Sequence, residues 1–175
     1  DTSGAWNLIL VDRDHYIPAN YQVELTELSN GEKVDSRIYL ELQQMFDDAR
    51  AAGLALFVRE GYRTTKEQQQ IMDDRIKEHE NQGCSKKEAK KKAEEYVAIP
   101  GTSEHQLGLS VDINADTSKC SSDAVYQWLD ENAYKYGFVK RYPEDKTDIT
   151  SINNEPWHYR YVGKDAARTM KQENL

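Results

Sequence analysis

The sequence contains few cysteines and prolines, no long hydrophobic run and no excess of positive charge. Its 175 residues include 2 Cys and 4 Pro. The longest apolar runs, Leu8–Val11 and Leu54–Val58, fall far short of the ~20 residues of a membrane-spanning helix. Lys and Arg number 23 against 31 Asp and Glu, which gives a formal net charge of -8. This charge argues against general affinity for nucleic acid or anionic lipid surfaces, and the sequence predicts no membrane insertion within this chain.

The two cysteines, Cys84 and Cys120, are too far apart in sequence to form a C-x-x-C motif, which excludes a zinc ribbon and a thioredoxin-type site. They could pair in an oxidising compartment, or both could be free thiols, because the sequence does not fix the distance between them. The residues from Asp1 onward lack the basic start and apolar segment of a signal peptide, so no targeting segment is expected within this chain.

The length matches the usual size of one domain, and hydrophobic periodicity divides the chain into short strands and longer helices. Strands are predicted at Trp6–Val11, Leu54–Arg59, Leu109–Ile113, Phe138–Tyr142 and His158–Val162. Helices are predicted after the candidate N-caps Asp35 or Ser36, Thr64, Ser85 and Ser122, and at Lys164–Glu173. Strands and helices do not alternate regularly. This pattern favours an α+β fold, with a single domain over residues 1–175 and a small, mainly antiparallel sheet flanked by helices.

The first chemically informative segment runs from His105 to Asp112. Leu109, Val111 and Ile113 have the two-residue period of a half-buried strand, which leaves Asp112 on the polar face. Gly108 permits a bend that turns His105 back toward Asp112. An imidazole and a carboxylate placed together suit a divalent metal such as Zn²⁺. The alternative is a buried His–Asp hydrogen bond that only ties the loop to the strand.

The second segment is Glu155–His158, with the sequence Glu-Pro-Trp-His. Pro156 disfavours a helical conformation at Glu155, so the segment is predicted to enter a strand in an extended form. His158 would complete a site of two His and one carboxylate, which is typical of catalytic zinc with a fourth position open. Glu155 would be a spare carboxylate beside the metal, as a general base requires. The alternative for Glu155 is a surface ion pair with Arg160.

The third segment, Gly61–Arg63, lies between a predicted buried strand and a helix. An arginine at a strand end can bind a carboxylate through two hydrogen bonds, although this segment in isolation favours a structural salt bridge for Arg63. Other hydrolase motifs are absent from the sequence: it contains no H-E-x-x-H, no S-x-x-K and no G-x-S-x-G.

Together these segments resemble the VanY-type D-alanyl-D-alanine carboxypeptidases, which are zinc peptidases related in fold to VanX and to the hedgehog signalling domain. The resemblance covers about residues 8–165, and its most specific part is S-x-H-x-x-G-x-x-x-D followed by E-P-W-H. It is carried by five segments: Gly61–Arg63, Pro100–Asp112, Tyr136–Phe138, Arg141–Pro143 and Glu155–Gly163.

The resemblance implies that three residues bind one zinc ion per chain: His105, Asp112 and His158. It implies that Glu155 is the catalytic base and that Arg63 binds substrate and stabilises the transition state. The implied substrate contacts are Arg63, Gln68, Ser103, Tyr142 and Trp157. Two positions depart from the usual family pattern: Glu60 replaces a common Ser, and Ser110 replaces a common Ala. If Glu60 faces the cleft, it would weaken binding of an anionic C-terminus.

The implied function is a zinc D,D-carboxypeptidase that removes the C-terminal D-alanine from peptidoglycan stem peptides. One alternative is an L,D-carboxypeptidase that acts on tetrapeptide stems, and another is a zinc-stabilised binding module without catalysis. A peptidoglycan substrate would place the protein outside the bacterial membrane, secreted or at the cell surface. That location is compatible with a Cys84–Cys120 disulfide, and a monomer is expected.

Overall fold

A four-stranded antiparallel sheet organises the molecule, which is described here over residues 5–175 of a computed structural model. Its strands lie in the order β3–β4–β6–β5. A separate two-stranded hairpin, β1–β2, turns at Gly31, whose positive φ of 90° suits glycine. The strands are β1 (Leu25–Glu27), β2 (Lys33–Asp35), β3 (Leu56–Glu60), β4 (Ser110–Ala115), β5 (Phe138–Tyr142) and β6 (Glu155–Tyr161).

The helices surround this sheet and are mostly capped as their sequences predict. Thr64 forms a capping box with Glu67. Ser85 caps the helix that begins at Lys86. The helix that begins at Ser122 is capped by Ser121 rather than by Ser122 itself. The helices are α1 (Tyr39–Ala51), α2 (Thr65–Asn81), α3 (Lys86–Ala93), α4 (Ser122–Asn132), α5 (Thr147–Thr150) and α6 (Lys164–Glu173). The expected α+β architecture with an antiparallel sheet is confirmed.

Two hydrophobic clusters of unequal size hold these elements together. The larger is built mainly from the sheet, α1 and α4, and includes Leu42, Ile113 and Leu129, each no more than 1% exposed. The smaller lies within residues 65–99, which we call the helical arm, and contains only three buried residues: Met72, Ala93 and Val97. The sheet therefore has most of the apolar packing that stabilises the fold.

The register of the central strands determines where the polar residues meet. Asp112 on β4 lies opposite His158 on β6, and Glu60 on β3 lies opposite Asp112 on its other side. The β3–β4 pairing shifts register between Val58 and Glu60, and the β5–β6 pairing shifts between Lys140 and Tyr142. Such irregularities redirect side chains at the end of a strand. They occur beside the segments that the sequence identifies as chemically informative.

One expectation from the sequence is not met in this structure, and one question that the sequence left open is answered. Trp6–Val11 is not a strand: Trp6–Leu8 forms a short 3-10 turn, and Trp6 stacks on Tyr161 with ring centroids 5.7 Å apart. Cys84 and Cys120 are both free, so the disulfide is not formed. The Cys120 sulfur instead contacts the backbone of Ala55, and the Cys84 sulfur lies 3.4 Å from Lys92 Nζ. Among the described helices, none has the length and apolarity needed to cross a bilayer.

Candidate active site

Three buried side chains converge at one point, one from β4, one from β6 and one from the turn that precedes β4. His105, Asp112 and His158 each place a potential ligand atom within 4.8 Å of the others. Asp112 Oδ1 lies 3.2 Å from His105 Nε2 and 3.2 Å from His158 Nδ1. The two imidazole rings stand perpendicular, with centroids 4.8 Å apart. The structure thus brings together the three residues that the sequence predicts as metal ligands.

A short turn aims His105 at this cluster. His105 lies in the 3-10 turn Glu104–Leu107, which ends at Gly108 in the left-handed conformation (φ 77°). The Nδ1 atom of His105 lies 2.8 Å from the carbonyl oxygen of Gly61, an acceptor, so Nδ1 carries the proton and Nε2 faces the cluster with its lone pair. Gly61 is required at that point, because a Cβ there would collide with the carbonyl oxygen of Lys33.

The chemistry of the donor set fits a divalent metal of the zinc type. Two imidazole nitrogens and one carboxylate oxygen are the usual protein ligands of a catalytic zinc ion that keeps one position open. Burial alone would raise the pKa of Asp112, but contacts with His105 and His158 hold that pKa well below its ordinary value. A carboxylate that stays ionised is ready to bind a cation.

Glu155 lies beside the cluster at the start of β6. Its Oε2 atom is 3.6 Å from Nδ1 of His158, and its side chain is 15% exposed. Burial raises the pKa of Glu155 to about 7, although His158 opposes that shift. A carboxylate with a pKa near neutral is suited to exchange protons with a reacting group. The alternative ion pair with Arg160 is wrong, because the Arg160 guanidinium binds Glu104.

Arg63 lies directly beside the cluster, with its side chain 12% exposed. Its guanidinium contacts Asp112 Oδ2 at 3.6 Å, Glu60 Oε2 at 3.3 Å and Gln68 Oε1 at 3.2 Å. Arg63 therefore forms a structural salt bridge and also lies in a cleft. Glu60 does face this arginine, so the departure from the family pattern places a competing carboxylate next to it.

All of the predicted site residues line one cleft with a volume of about 250 Å³. The metal cluster, Glu155 and Trp157 line the cleft together with residues of the helical arm such as Gln68 and Arg75. The predicted substrate contacts that line it are Arg63, Gln68, Ser103, Tyr142 and Trp157. Gln68 also donates a hydrogen bond to the carbonyl of Ala98 at 2.9 Å, which ties α2 to the end of the arm.

Sequence reasoning misses a buried charged network behind His158. The centre of this network is Glu104, which is 1% exposed. Its Oε1 atom accepts from Arg141 at 2.8 Å and from Arg160 at 3.0 Å. Its Oε2 atom accepts from Ser110 at 2.9 Å and lies 3.3 Å from His158 Nε2. Burial would raise the pKa of Glu104, but the two guanidinium groups hold it well below its ordinary value. The sequence contains one indication of this network, because the acidic residue Glu104 directly precedes the predicted ligand His105.

Comparison with known families and proteins gives a consistent result. Residues 31–164 match the family described as VanY, D-alanyl-D-alanine carboxypeptidase. A D-alanyl-D-alanine carboxypeptidase of Enterococcus faecalis (strain ATCC 700802 / V583) is 56% identical over 170 residues. That match covers 97% of this chain but 63% of the enterococcal protein, so the chain spans less than two thirds of that relative's length.

Solved structures show the same architecture. VanYB in complex with D-alanine-D-alanine has a TM-score of 0.96 and 56% identity, over 98% of this chain and 94% of that one. A structure of the vancomycin resistance D,D-pentapeptidase VanY in complex with Zn(II) has a TM-score of 0.95 and 56% identity. This second match covers 98% of this chain and 96% of the other.

Proposed function

The chain belongs to the VanY family of D-alanyl-D-alanine carboxypeptidases, and on that premise we propose that it is a zinc-dependent D,D-carboxypeptidase. Its substrate would be a peptidoglycan stem peptide, from which it removes the C-terminal D-alanine. The observation that carries the proposal is the cleft itself. The cluster of His105, Asp112 and His158 shares that cleft with Glu155, a carboxylate whose pKa is raised to about 7, and with Arg63.

His105 Nε2, Asp112 and His158 Nδ1 would hold the zinc ion. The ion supplies Lewis acidity, which polarises a carbonyl and lowers the pKa of water toward about 7. The two histidines offer lone pairs from different ring nitrogens, because each has its other nitrogen directed at a separate acceptor. The three proposed ligands come from one turn and two paired strands.

Glu155 would act as general base and then as general acid. Its Oε2 atom lies 3.6 Å from His158 Nδ1, so it borders the proposed metal site. It takes a proton from the attacking water as the new C–O bond forms, and it gives that proton to the amine nitrogen as the peptide C–N bond breaks. The products are the shortened peptide and free D-alanine.

Arg63 would bind the terminal carboxylate of the peptide through its guanidinium group. Gln68 supports this arginine through the 3.2 Å contact with Nη1. Ser103, Tyr142 and Trp157 line the same cleft and would enclose the terminal residue. Glu60 lies 3.3 Å from Arg63 Nε and so places a second carboxylate beside the group that would bind the substrate.

The proposed substrate also sets the location and the assembly. Because peptidoglycan lies outside the cytoplasmic membrane, we propose that the protein works there, secreted or at the cell surface. We further propose that it acts as a monomer, since every group assigned a role above comes from one chain and lines one cleft.

The test is release of D-alanine from a peptide ending in D-Ala-D-Ala. The expected result is release that stops after treatment with a chelator and returns with zinc. A tetrapeptide stem measured in parallel tests the L,D alternative. Zinc-loaded protein that cleaves only the tetrapeptide would replace D,D by L,D specificity. Zinc-loaded protein that cleaves neither peptide would favour a binding module.

A further inference from the structure

We propose that Glu104 is a positioning residue for the zinc site, which holds His158 in the tautomer and orientation that present Nδ1 to the metal. This inference rests on the proposed zinc site, but it concerns a residue outside the ligand set. Glu104 lies in the turn that also carries His105, yet its carboxylate points at the second histidine, His158.

The two ring nitrogens of His158 face different partners. Nδ1 is directed at the cluster, 3.2 Å from Asp112 Oδ1 and 3.6 Å from Glu155 Oε2. Nε2 is directed away from it, 3.3 Å from Glu104 Oε2. A neutral imidazole carries one N–H, and an ionised carboxylate can only accept. The contact with Glu104 therefore favours the proton on Nε2 and leaves the Nδ1 lone pair for the metal.

Glu104 is itself fixed by three further donors from three strands. Ser110 on β4 donates to Oε2, while Arg141 on β5 and Arg160 on β6 donate to Oε1. Both carboxylate oxygens are thus held, and the side chain is buried at 1% exposure. A carboxylate held in this way cannot rotate without breaking several charge-assisted hydrogen bonds. The orientation of His158 is therefore set by the packing of the sheet.

The two histidines differ in the group that holds the nitrogen remote from the cluster. His105 uses a neutral acceptor, the Gly61 carbonyl, whereas His158 uses the charged carboxylate of Glu104. A carboxylate partner fixes the tautomer of a metal-binding histidine and raises its basicity as a ligand. We therefore expect the zinc affinity to depend on the charge and acceptor character of Glu104 at this position.

The decisive variant is Glu104→Gln, which keeps the shape of the side chain. Arg141 and Arg160 both donate to Oε1, so the amide oxygen is expected to occupy that position. The amide NH₂ would then face Nε2 of His158 as a donor. His158 would have to place its proton on Nδ1, where it blocks metal binding. We expect the zinc affinity to fall about 10–100-fold.

The matched control is Ser110→Ala. It removes another hydrogen bond to the same Oε2 atom but leaves the contact with His158 in place. Its zinc affinity is expected to stay within about twofold of wild type, because Arg141 and Arg160 still hold the carboxylate through Oε1. Zinc affinity is measured by competition with a chromophoric chelator, and thermal unfolding of each metal-free protein checks that the variants fold. A folded Glu104→Gln protein with zinc affinity within about twofold of wild type would overturn the proposal.

A second measurement needs no variant. Nitrogen-15 NMR of the histidine rings in the zinc-loaded wild-type protein reports which nitrogen of His158 carries hydrogen. A proton on Nε2 is expected, and a proton on Nδ1 would overturn the proposal even if Glu104→Gln does not fold. Neither readout requires peptide hydrolysis. A protein that binds zinc but releases no D-alanine would therefore contradict the proposed function and leave the assignment of Glu104 supported or refuted on its own data.

Discussion

The cleft is lined by two parts of the molecule, the sheet side and the helical arm, which differ in how much buried apolar packing supports them. The sheet side supplies the metal cluster and Glu155, and it rests on a large core in which residues such as Val111, Ile113 and Phe138 are 0% exposed. The helical arm supplies other lining residues and has three buried residues in its own cluster. Segments with few buried apolar contacts open at lower free energy than the core of a domain. Groups that need fixed distances thus lie on the stable side.

The charged groups of the sheet side and of the helical arm also differ in how firmly they are bonded. On the sheet side, Glu104, Asp112 and His158 are buried and bonded to partners within the same sheet or its adjoining turn. On the arm, Arg75 lines the cleft with a looser 3.7 Å contact to Glu78 and with its guanidinium above the Tyr96 ring. We therefore expect the sheet side to determine the chemistry and the arm to adjust to the substrate. Four predictions test it.

The largest effect is expected for Glu155→Gln on the sheet side. Loss of a general base typically lowers kcat about 10²–10⁴-fold, because the proton has no nearby acceptor. Zinc affinity should be close to that of wild type, since Glu155 is not among the three proposed ligands. D-alanine release and chelator competition measure the two quantities separately. The control is Glu144→Gln at an exposed carboxylate, and retention of full activity in Glu155→Gln would refute its role as base.

Removal of zinc should weaken the sheet side and leave the arm nearly unchanged. A ligand that binds only the folded state adds about 4 kcal/mol when it is present at about 1,000 times its Kd. The ligands lie on β4, on β6 and in the turn before β4, so zinc should slow amide hydrogen exchange there. Exchange within α2 and α3 should change little. Equal protection of both regions would show that the arm and the sheet unfold as one unit.

Truncation within the two cores should also have unequal consequences. Leu129→Ala in the main core is expected to cost about 2–5 kcal/mol of unfolding free energy, because it leaves a cavity in tightly packed surroundings. Met72→Ala in the arm should cost less, since the smaller cluster can relax around the space. Its main effect should be a higher KM with nearly unchanged kcat. Chemical denaturation and steady-state kinetics measure these effects, and a Met72→Ala protein with reduced kcat and normal KM would contradict the division.

Much of the chemically important geometry could be predicted from the sequence because it is local. Gly108 in a left-handed conformation after His105 follows from the Gly within the motif, and the Thr64 capping box follows from Thr and Glu three residues apart. The spacing from His105 to Asp112 likewise encloses a single turn and a strand start. In such segments the residues that determine the conformation are near neighbours in the chain.

The parts that could not be predicted depend on strands that are distant in sequence. Ile9 and Val11 are buried while Leu8 and Leu10 are exposed, so the segment alternates as a strand would, yet it has no ladder partner among residues 5–175. The Glu104 network needs the registers of β4, β5 and β6 together. Hydrophobic alternation indicates which residues face inward, but it does not specify which strands lie side by side.

The smallest expected effect is for Tyr136→Phe, which removes a single side-chain hydrogen bond. The Tyr136 hydroxyl donates to Asp48 and so joins the turn after α4 to α1. Burial and this carboxylate raise the pKa of Tyr136 from 10.0 to about 12. Because the pKa of Tyr136 is higher in the folded state, the stabilisation by its hydrogen bond to Asp48 is complete below pH 10 and is lost as the pH rises toward 12.

The Tyr136→Phe variant should lose about 1 kcal/mol of unfolding free energy at pH 8, and its stability should fall less steeply at alkaline pH than that of wild type. Denaturation from pH 8 to 11 measures both, with Tyr126→Phe as the control. If stability falls as steeply at alkaline pH in Tyr136→Phe as in wild type, that loss is due to other titrating groups.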